Sequence, residues 1–261
     1  VDLGPAHAQA LEVAKVAALR GRWDGIHVGE RQGPQGTGVR CASILSGRWS
    51  AGNTVMPVSQ PQALLFDLGG VLADIDFERA LQAWAAYTPQ SIDGLRRAFK
   101  FDLQYQRHER GEISAAEYFD HLASTLGLCA SRAQTAHGWN SVFVGEFAPT
   151  RMLVEAMRVH LPCYAFTNTN ASHMATWSAL FPELVRSFDR IFASHEMGLR
   201  KPERAAFEYI ARTTGIAAGS LLFFDDLLEN VRAAVDAGLQ GIHVSSPEDV
   251  RRSLRALGYA L

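Results

Sequence analysis

Five residues stand where chemistry is possible: Asp67, Thr167, Lys201, Asp225 and Asp226. Asp67 follows the apolar run Ala63-Leu64-Leu65-Phe66, and Thr167-Asn168 follows Cys163-Tyr164-Ala165-Phe166. Asp225-Asp226 follows Leu221-Leu222-Phe223-Phe224, and Lys201-Pro202-Glu203 opens a helix continued by the pattern over 204–213, with Pro202 at its first position. Adjacent carboxylates after an apolar strand repel each other and resist burial. A divalent cation relieves both problems, and hard oxygen ligands suit magnesium; the alternative is a solvated turn. A lysine opening a helix meets the positive end of its dipole, so an anion close by would offset it; the alternative is a side chain extended into water. Thr167 offers a hydroxyl donor, and Asp67 on its own reads better as a turn aspartate. As a set they are more specific. A carboxylate that attacks a phosphoryl group must overcome charge repulsion, which takes a metal ion and a lysine, with a hydroxyl and backbone amides to hold the remaining oxygens.

The elements that would position these residues are short. The three runs above, with Arg190–Ala193 and Gly241–Val244, are continuous apolar stretches bounded by polar residues or glycine. Such runs suit parallel strands buried on both faces. Helical patterns between them, such as 204–213 and 229–237, predict an α/β fold with a doubly wound parallel sheet. Ligands of such sheets bind beyond the carboxyl ends of the strands, where three of the runs end in polar residues. Residues 77–149 carry helical patterns at 77–87, 92–105, 115–126 and 131–139, without a clear strand. This is too long for a loop. It predicts a helical insert capping the active edge, with the sheet domain at 63–76 and 150–261.

Residues 1–62 differ in character. They hold nine of the 22 glycines, and Gly33-Pro34-Gln35-Gly36-Thr37-Gly38 suits neither helix nor long strand. They read as a poorly ordered extension with one amphipathic helical stretch at 6–19. Met56 is an alternative natural start. No signal-peptide pattern is present. Over the whole chain, 25 basic and 27 acidic residues give a net charge of −2, which offers no field for duplex nucleic acid. No apolar run reaches the ~18–20 residues of a membrane span. Three cysteines, Cys41, Cys129 and Cys163, fit neither a disulfide framework nor a zinc site, so a cytoplasmic protein is expected; a monomer or weak dimer is expected as well. Cys163 reads as a buried core residue at a strand start.

The motifs resemble those of the haloacid dehalogenase superfamily. They are Phe66-Asp67-Leu68-Gly69-Gly70-Val71-Leu72, Thr167-Asn168, Lys201-Pro202, and Asp225-Asp226 with Asn230. Further stretches resemble bacterial α-D-glucose-1-phosphate phosphatases: Asp74-Ile75-Asp76-Phe77, 108–114, His137-Gly138-Trp139 and 198–203. The amino-terminal phosphatase domain of soluble epoxide hydrolases is a more distant likeness. The resemblance implies a Rossmann-like core and an aspartyl-phosphate formed on Asp67. It implies Mg2+ held by Asp67, Asp226 and the Gly69 carbonyl, with Asp225 and Asn230 in support. Thr167 and Asn168 would bind the phosphoryl oxygens, and Lys201 would bridge nucleophile and phosphate. The substrate implied is a small phosphorylated metabolite such as glucose 1-phosphate.

One departure matters. Most phosphatases of the superfamily carry an acid–base aspartate two residues after the nucleophile, and this chain has Gly69 there. A metal-independent 2-haloacid dehalogenase also lacks that acid, and a degenerate phospho-ligand-binding protein would not need it. Asp74 and Asp76 are candidate substitutes, although capping or hinging the insert explains them better. The His108-Glu109-Arg110 cluster reads either as substrate-facing or as a solvated helix end. Trp139 reads as core packing.

Overall fold

A computed structural model of the chain describes residues 60–261. The expectations for the extension, including the 6–19 helix, the Met56 start and Cys41, lie outside the described residues. In chain order, β1 (Ala63–Phe66) and β2 (Ala73–Ile75) precede α1 (Phe77–Trp84), α2 (Ile92–Ala98), α3 (Leu103–Glu109), α4 (Ala115–Leu126) and α5 (Arg132–Asn140). Then come β3 (Phe143–Glu146), α6 (Ala148–Met157), β4 (Cys163–Thr167), α7 (Ala171–Leu180), α8 (Pro182–Arg186), β5 (Arg190–Ala193) and α9 (Ser194–Met197). The chain finishes with α10 (Arg204–Thr214), β6 (Leu221–Asp225), α11 (Leu228–Asp236), β7 (Gln240–His243) and α12 (Pro247–Ala256).

Five strands form one parallel sheet in the order β5-β4-β1-β6-β7. The apolar runs do what double burial requires. In β1, Leu64 and Phe66 join the core on one face while Ala63 and Leu65 join the core on the other. In β6, Leu222 and Phe224 divide from Leu221 and Phe223 in the same way. Phe66 and Phe224 stack across the strand pair, 4.7 Å between centroids. Cys163 is fully buried at the start of β4, and burial pushes its thiol up to about 12. The chain winds to β4 and β5 on one side of β1 and to β6 and β7 on the other. The topological switch therefore falls at the carboxyl end of β1, where Asp67 stands.

The insert differs from expectation in two places. It leaves and returns through a two-stranded antiparallel ribbon of β2 and β3, where no strand was predicted. The ribbon is extended by hydrogen bonds from Asp76 N to Val142 O and from Phe147 N to Leu72 O, each 2.8 Å. Strands of three and four residues are too short to show a period of two. The helix predicted over 92–105 is also broken. Asp102 accepts from Tyr105 N at 2.9 Å and starts α3 afresh. The break turns Phe99 and Phe101 onto Phe77, with ring centroids 5.7 and 5.4 Å away. The remaining insert helices carry strong start signals. Ser114 and Ser131 form capping boxes with Glu117 and Gln134, and Gly127 ends α4 in the left-handed conformation. Trp139 is fully buried and stacks on His173 at 4.4 Å.

Candidate active site

Register brings the site together. Phe66 pairs with Ala165 of β4 and with Phe224 of β6. Asp67, Thr167 and Asp225 therefore emerge side by side at the carboxyl edge, and Asp67 N donates to Phe224 O at 2.8 Å. Beyond Asp67 the chain turns tightly. Leu72 N and Ala73 N both donate to Leu68 O, and Gly70 takes a left-handed φ of 74°. Only glycine fits this turn: a Cβ on Gly70 would lie 2.5 Å from Asp226 Oδ2.

Lys201 is the centre of the arrangement, 1% exposed. Its Nζ lies 2.7 Å from Asp67 Oδ1, donates to Asp225 Oδ2 at 2.9 Å and donates to the Phe166 carbonyl at 3.0 Å. The rings of Phe166 and Phe223 stand 5.2 and 5.6 Å away. Burial alone would lower its pKa, but Asp225 and Asp67 outweigh that and raise it. The anions that its place beside a helix start called for are thus these two carboxylates. Pro202 is not the first residue of the helix as expected. It lies in the turn before α10, whose N-cap is Glu203. Asn168 fixes the lysine from its backbone: Lys201 N donates to Asn168 Oδ1 at 2.8 Å and Asn168 Nδ2 donates to Lys201 O at 2.9 Å.

Asp225, Asp226 and Asp67 are all buried, with carboxylate oxygens within 4.8 Å of one another. Asp225 is heavily engaged. It accepts from Lys201, from Leu227 N at 2.7 Å and from Asn230 Nδ2 at 3.1 and 3.0 Å. Asn230 therefore steadies Asp225 directly, one turn into the following helix. Burial is the largest cause that raises Asp67 well above the ordinary carboxylate value. Lys201 pulls it down, and Asp225 and Asp226 push it up further. Three carboxylates against one ammonium leave an excess of negative charge in a dry site. That donor set, all hard oxygens, fits a divalent cation.

A cavity of about 170 Å³ opens above these groups. Its floor carries Asp67, Gly69, Thr167, Asn168, Lys201, Asp226 and Asn230, and its far wall comes from the insert as Ile75, Phe77, Phe101, Tyr105 and Glu109. All the predicted site residues except Asp225 line it. Asp74 and Asp76 do not, and Asp76 caps α1 by accepting from Glu78 N at 2.9 Å. Arg200 and Tyr105 are among the lining residues that were not singled out from sequence as site residues. The His108-Glu109-Arg110 cluster meets the loop carrying Lys201: Arg200 Nε donates to Glu109 Oε2 at 2.8 Å, and Arg110 Nε donates to Glu203 Oε1 at 2.8 Å. His108 is buried against Tyr118, 4.5 Å between ring centroids, and burial lowers it to about 4.

A parallel α/β sheet with an aspartate at its switch point, a buried lysine and an acidic pair on adjacent elements forms a ligand site beyond the strand ends. Residues 61–238 match the model of the haloacid dehalogenase-like hydrolases, and the chain belongs to that family. It is 24% identical over 201 residues to a D-ribitol-5-phosphate phosphatase of Bacteroides thetaiotaomicron, covering 74% of this chain and 97% of the relative. It is 29% identical over 199 residues to a sesquiterpene phosphatase of Aspergillus oryzae, covering 75% and 96%. A HAD family enzyme of Bacteroides thetaiotaomicron, solved in complex with magnesium and inorganic phosphate, superposes with a TM-score of 0.61 at 28% identity. The match covers 70% of this chain and 93% of that one. The resemblance to glucose-1-phosphate phosphatases thus holds at the level of the family.

Proposed function

We propose that this chain is a magnesium-dependent phosphomonoesterase that hydrolyses a small phosphorylated metabolite through an aspartyl-phosphate on Asp67. The observation that carries the reading is Lys201, buried and held between Asp67 and Asp225 on the floor of one cavity. The ammonium favours the ionised form of Asp67, the form that attacks phosphorus, against burial and the acidic neighbours that raise it. Thr167 and the amide of Asn168 hold the phosphoryl oxygens. Asp225 and Asn230 hold Lys201 and the loop after β6 in place. Asp67, Asp226 and the Gly69 carbonyl are the ligands for magnesium, which supplies the positive charge that lets an anion approach an anion. A metal-independent dehalogenase would leave the excess negative charge of Asp67, Asp225 and Asp226 without purpose.

The best-supported substrate is a sugar phosphate esterified at the anomeric oxygen, such as glucose 1-phosphate. Gly69 gives the leaving oxygen no proton from the nucleophile loop, and an anomeric oxygen, the better leaving group, depends least on an acid held elsewhere. The aromatic wall of Phe77, Phe101 and Tyr105 suits the apolar face of a ring, and a relative named for a polyol phosphate supports a sugar-like substrate without bearing on the anomeric position. The same wall supports a second reading, an apolar alkyl phosphate, and another relative is named for a sesquiterpene.

The test is phosphate release from glucose 1-phosphate, glucose 6-phosphate, an aryl phosphate and a prenyl phosphate, with magnesium and with chelator. Release that requires magnesium is expected, with the 1-phosphate ahead of the 6-phosphate. Halide release from a 2-haloacid without metal would instead establish dehalogenase chemistry, and inertness towards every phosphate would leave a binding protein.

A further inference from the structure

A phosphatase with glycine two residues after its nucleophile needs its proton from elsewhere. The two nearby candidates in sequence, Asp74 and Asp76, do not line the cavity. Asp74 pairs with Gly145 in the ribbon, and Asp76 caps α1. Among the described residues, three carboxylates line the cavity: Asp67, Asp226 and Glu109. Glu109 stands at the carboxyl end of α3 on the opposite wall and is 3% exposed. Its Oε2 is held by Arg200 Nε at 2.8 Å, and the Tyr105 hydroxyl hydrogen-bonds to it. Arg200 is the residue before Lys201, whose ammonium touches Asp67. The Arg200 contact therefore fixes Glu109 to the same loop that fixes the nucleophile.

Resting on the phosphatase reading above, we propose that Glu109 is the acid and base of this enzyme, supplied by the insert in place of the group missing at Gly69. In the first step an Asp67 oxygen bonds to phosphorus and the ester P–O bond breaks. Its electron pair goes to the leaving oxygen, which takes the proton of the Glu109 carboxyl. In the second step water bonds to phosphorus, the P–O bond to Asp67 breaks and its electron pair returns to Asp67. The proton lost by water passes to Glu109 and restores it, so the sum is ester plus water giving alcohol plus phosphate. Burial raises Glu109 above the ordinary carboxylate value, while Arg200, the Tyr105 hydroxyl and Lys201 pull it back. A group so balanced can carry the proton in one step and accept it in the next.

The full chain carrying Glu109→Gln tests this by pre-steady-state kinetics on an aryl phosphate and on glucose 1-phosphate. With the aryl ester the first step survives, so a burst of phenol precedes slow turnover. With the sugar ester both steps slow, by about 10²–10⁴-fold. The decisive variant adds Gly69→Asp. A Cβ at Gly69 would meet Ile75 Cδ1 at 3.1 Å, so Ile75→Val accompanies it to make room. Recovery of sugar-phosphate turnover by that pair of changes is the expected result. Equal losses on both substrates, with no burst and no recovery, overturn the proposal. If the glutamine variant does not fold, Glu109→Asp keeps the charge pair with Arg200 and withdraws the carboxyl by one methylene. It must then slow the sugar ester more than the aryl ester, or the proposal fails. A wild type that releases no phosphate from either substrate overturns the phosphatase reading itself.

Discussion

Replacing Lys201 by methionine removes a charge while nearly keeping volume, and the structure sets the size of the effect. The ammonium contacts Asp67 and Asp225 at 2.7 and 2.9 Å, with Asp226 in the same cluster, and is 1% exposed. Removing one partner of a buried ion pair costs about 3–5 kcal/mol, because the other charge is left uncompensated. Two carboxylates lose their partner here, which places the cost towards the upper end. For a domain of this size each kcal/mol moves the melting temperature by about 2–4 °C, so a fall of roughly 6–20 °C is expected in chelator. The loss has a predictable pH dependence. Asp67 is already raised by burial and by its acidic neighbours, and loss of Lys201 removes the influence that lowers it. The folded variant then holds a proton that the unfolded chain has released. Its stability is greatest below the ordinary carboxylate range and declines as pH rises through the raised folded value. The melting deficit is therefore larger in mildly alkaline than in mildly acidic buffer. Magnesium at about 100 times its Kd restores about 2.7 kcal/mol by binding the folded state alone. Thermal melts of Lys201→Met and wild type at two pH values, with chelator and with magnesium, measure all three. A variant that melts with the wild type at both pH values and ignores magnesium would refute the reasoning.

Asp67→Asn is expected to keep the fold and abolish turnover, since the amide is a poor nucleophile and a poor metal ligand; circular dichroism and phosphate release check both. Wild-type enzyme should favour glucose 1-phosphate over glucose 6-phosphate, because the anomeric oxygen leaves more readily; a clear preference for the 6-phosphate in kcat/KM would contradict this. Gly70→Ala should weaken magnesium binding and destabilise the chain, since the added methyl falls 2.5 Å from Asp226 Oδ2 at a positive φ. Titration calorimetry with magnesium detects it, and an unchanged affinity would argue against Asp226 as a ligand.

The strands and the edge residues were legible because each rests on a local signal. Four apolar residues followed by Asp, Thr or Asp-Asp is a pattern confined to one stretch of chain, and parallel register then carries those ends to one edge. Other features depend on partners far away in sequence. Glu109 and Arg200 are 91 residues apart, and neither stretch announces the other. The break before α3 turns on Asp102 capping a new helix while Phe99 and Phe101 find Phe77, so tertiary burial overrode a continuous helical pattern. The β2–β3 ribbon is too short to display its own period. Asn230 stands one turn after the acidic pair, and the partner its amide meets is Asp225. Helical spacing shows which residues share a face and leaves open which atom a side chain meets.

The claim on which the rest depends is that Asp67 carries the phosphoryl group. Enzyme mixed with magnesium and an aryl phosphate, then quenched with borohydride, should have that acyl phosphate reduced to the homoserine alcohol. Peptide mass spectrometry of the quenched protein is expected to find this change at position 67 and nowhere else. Reduction at another aspartate, or none in an enzyme that is turning over, would contradict the account.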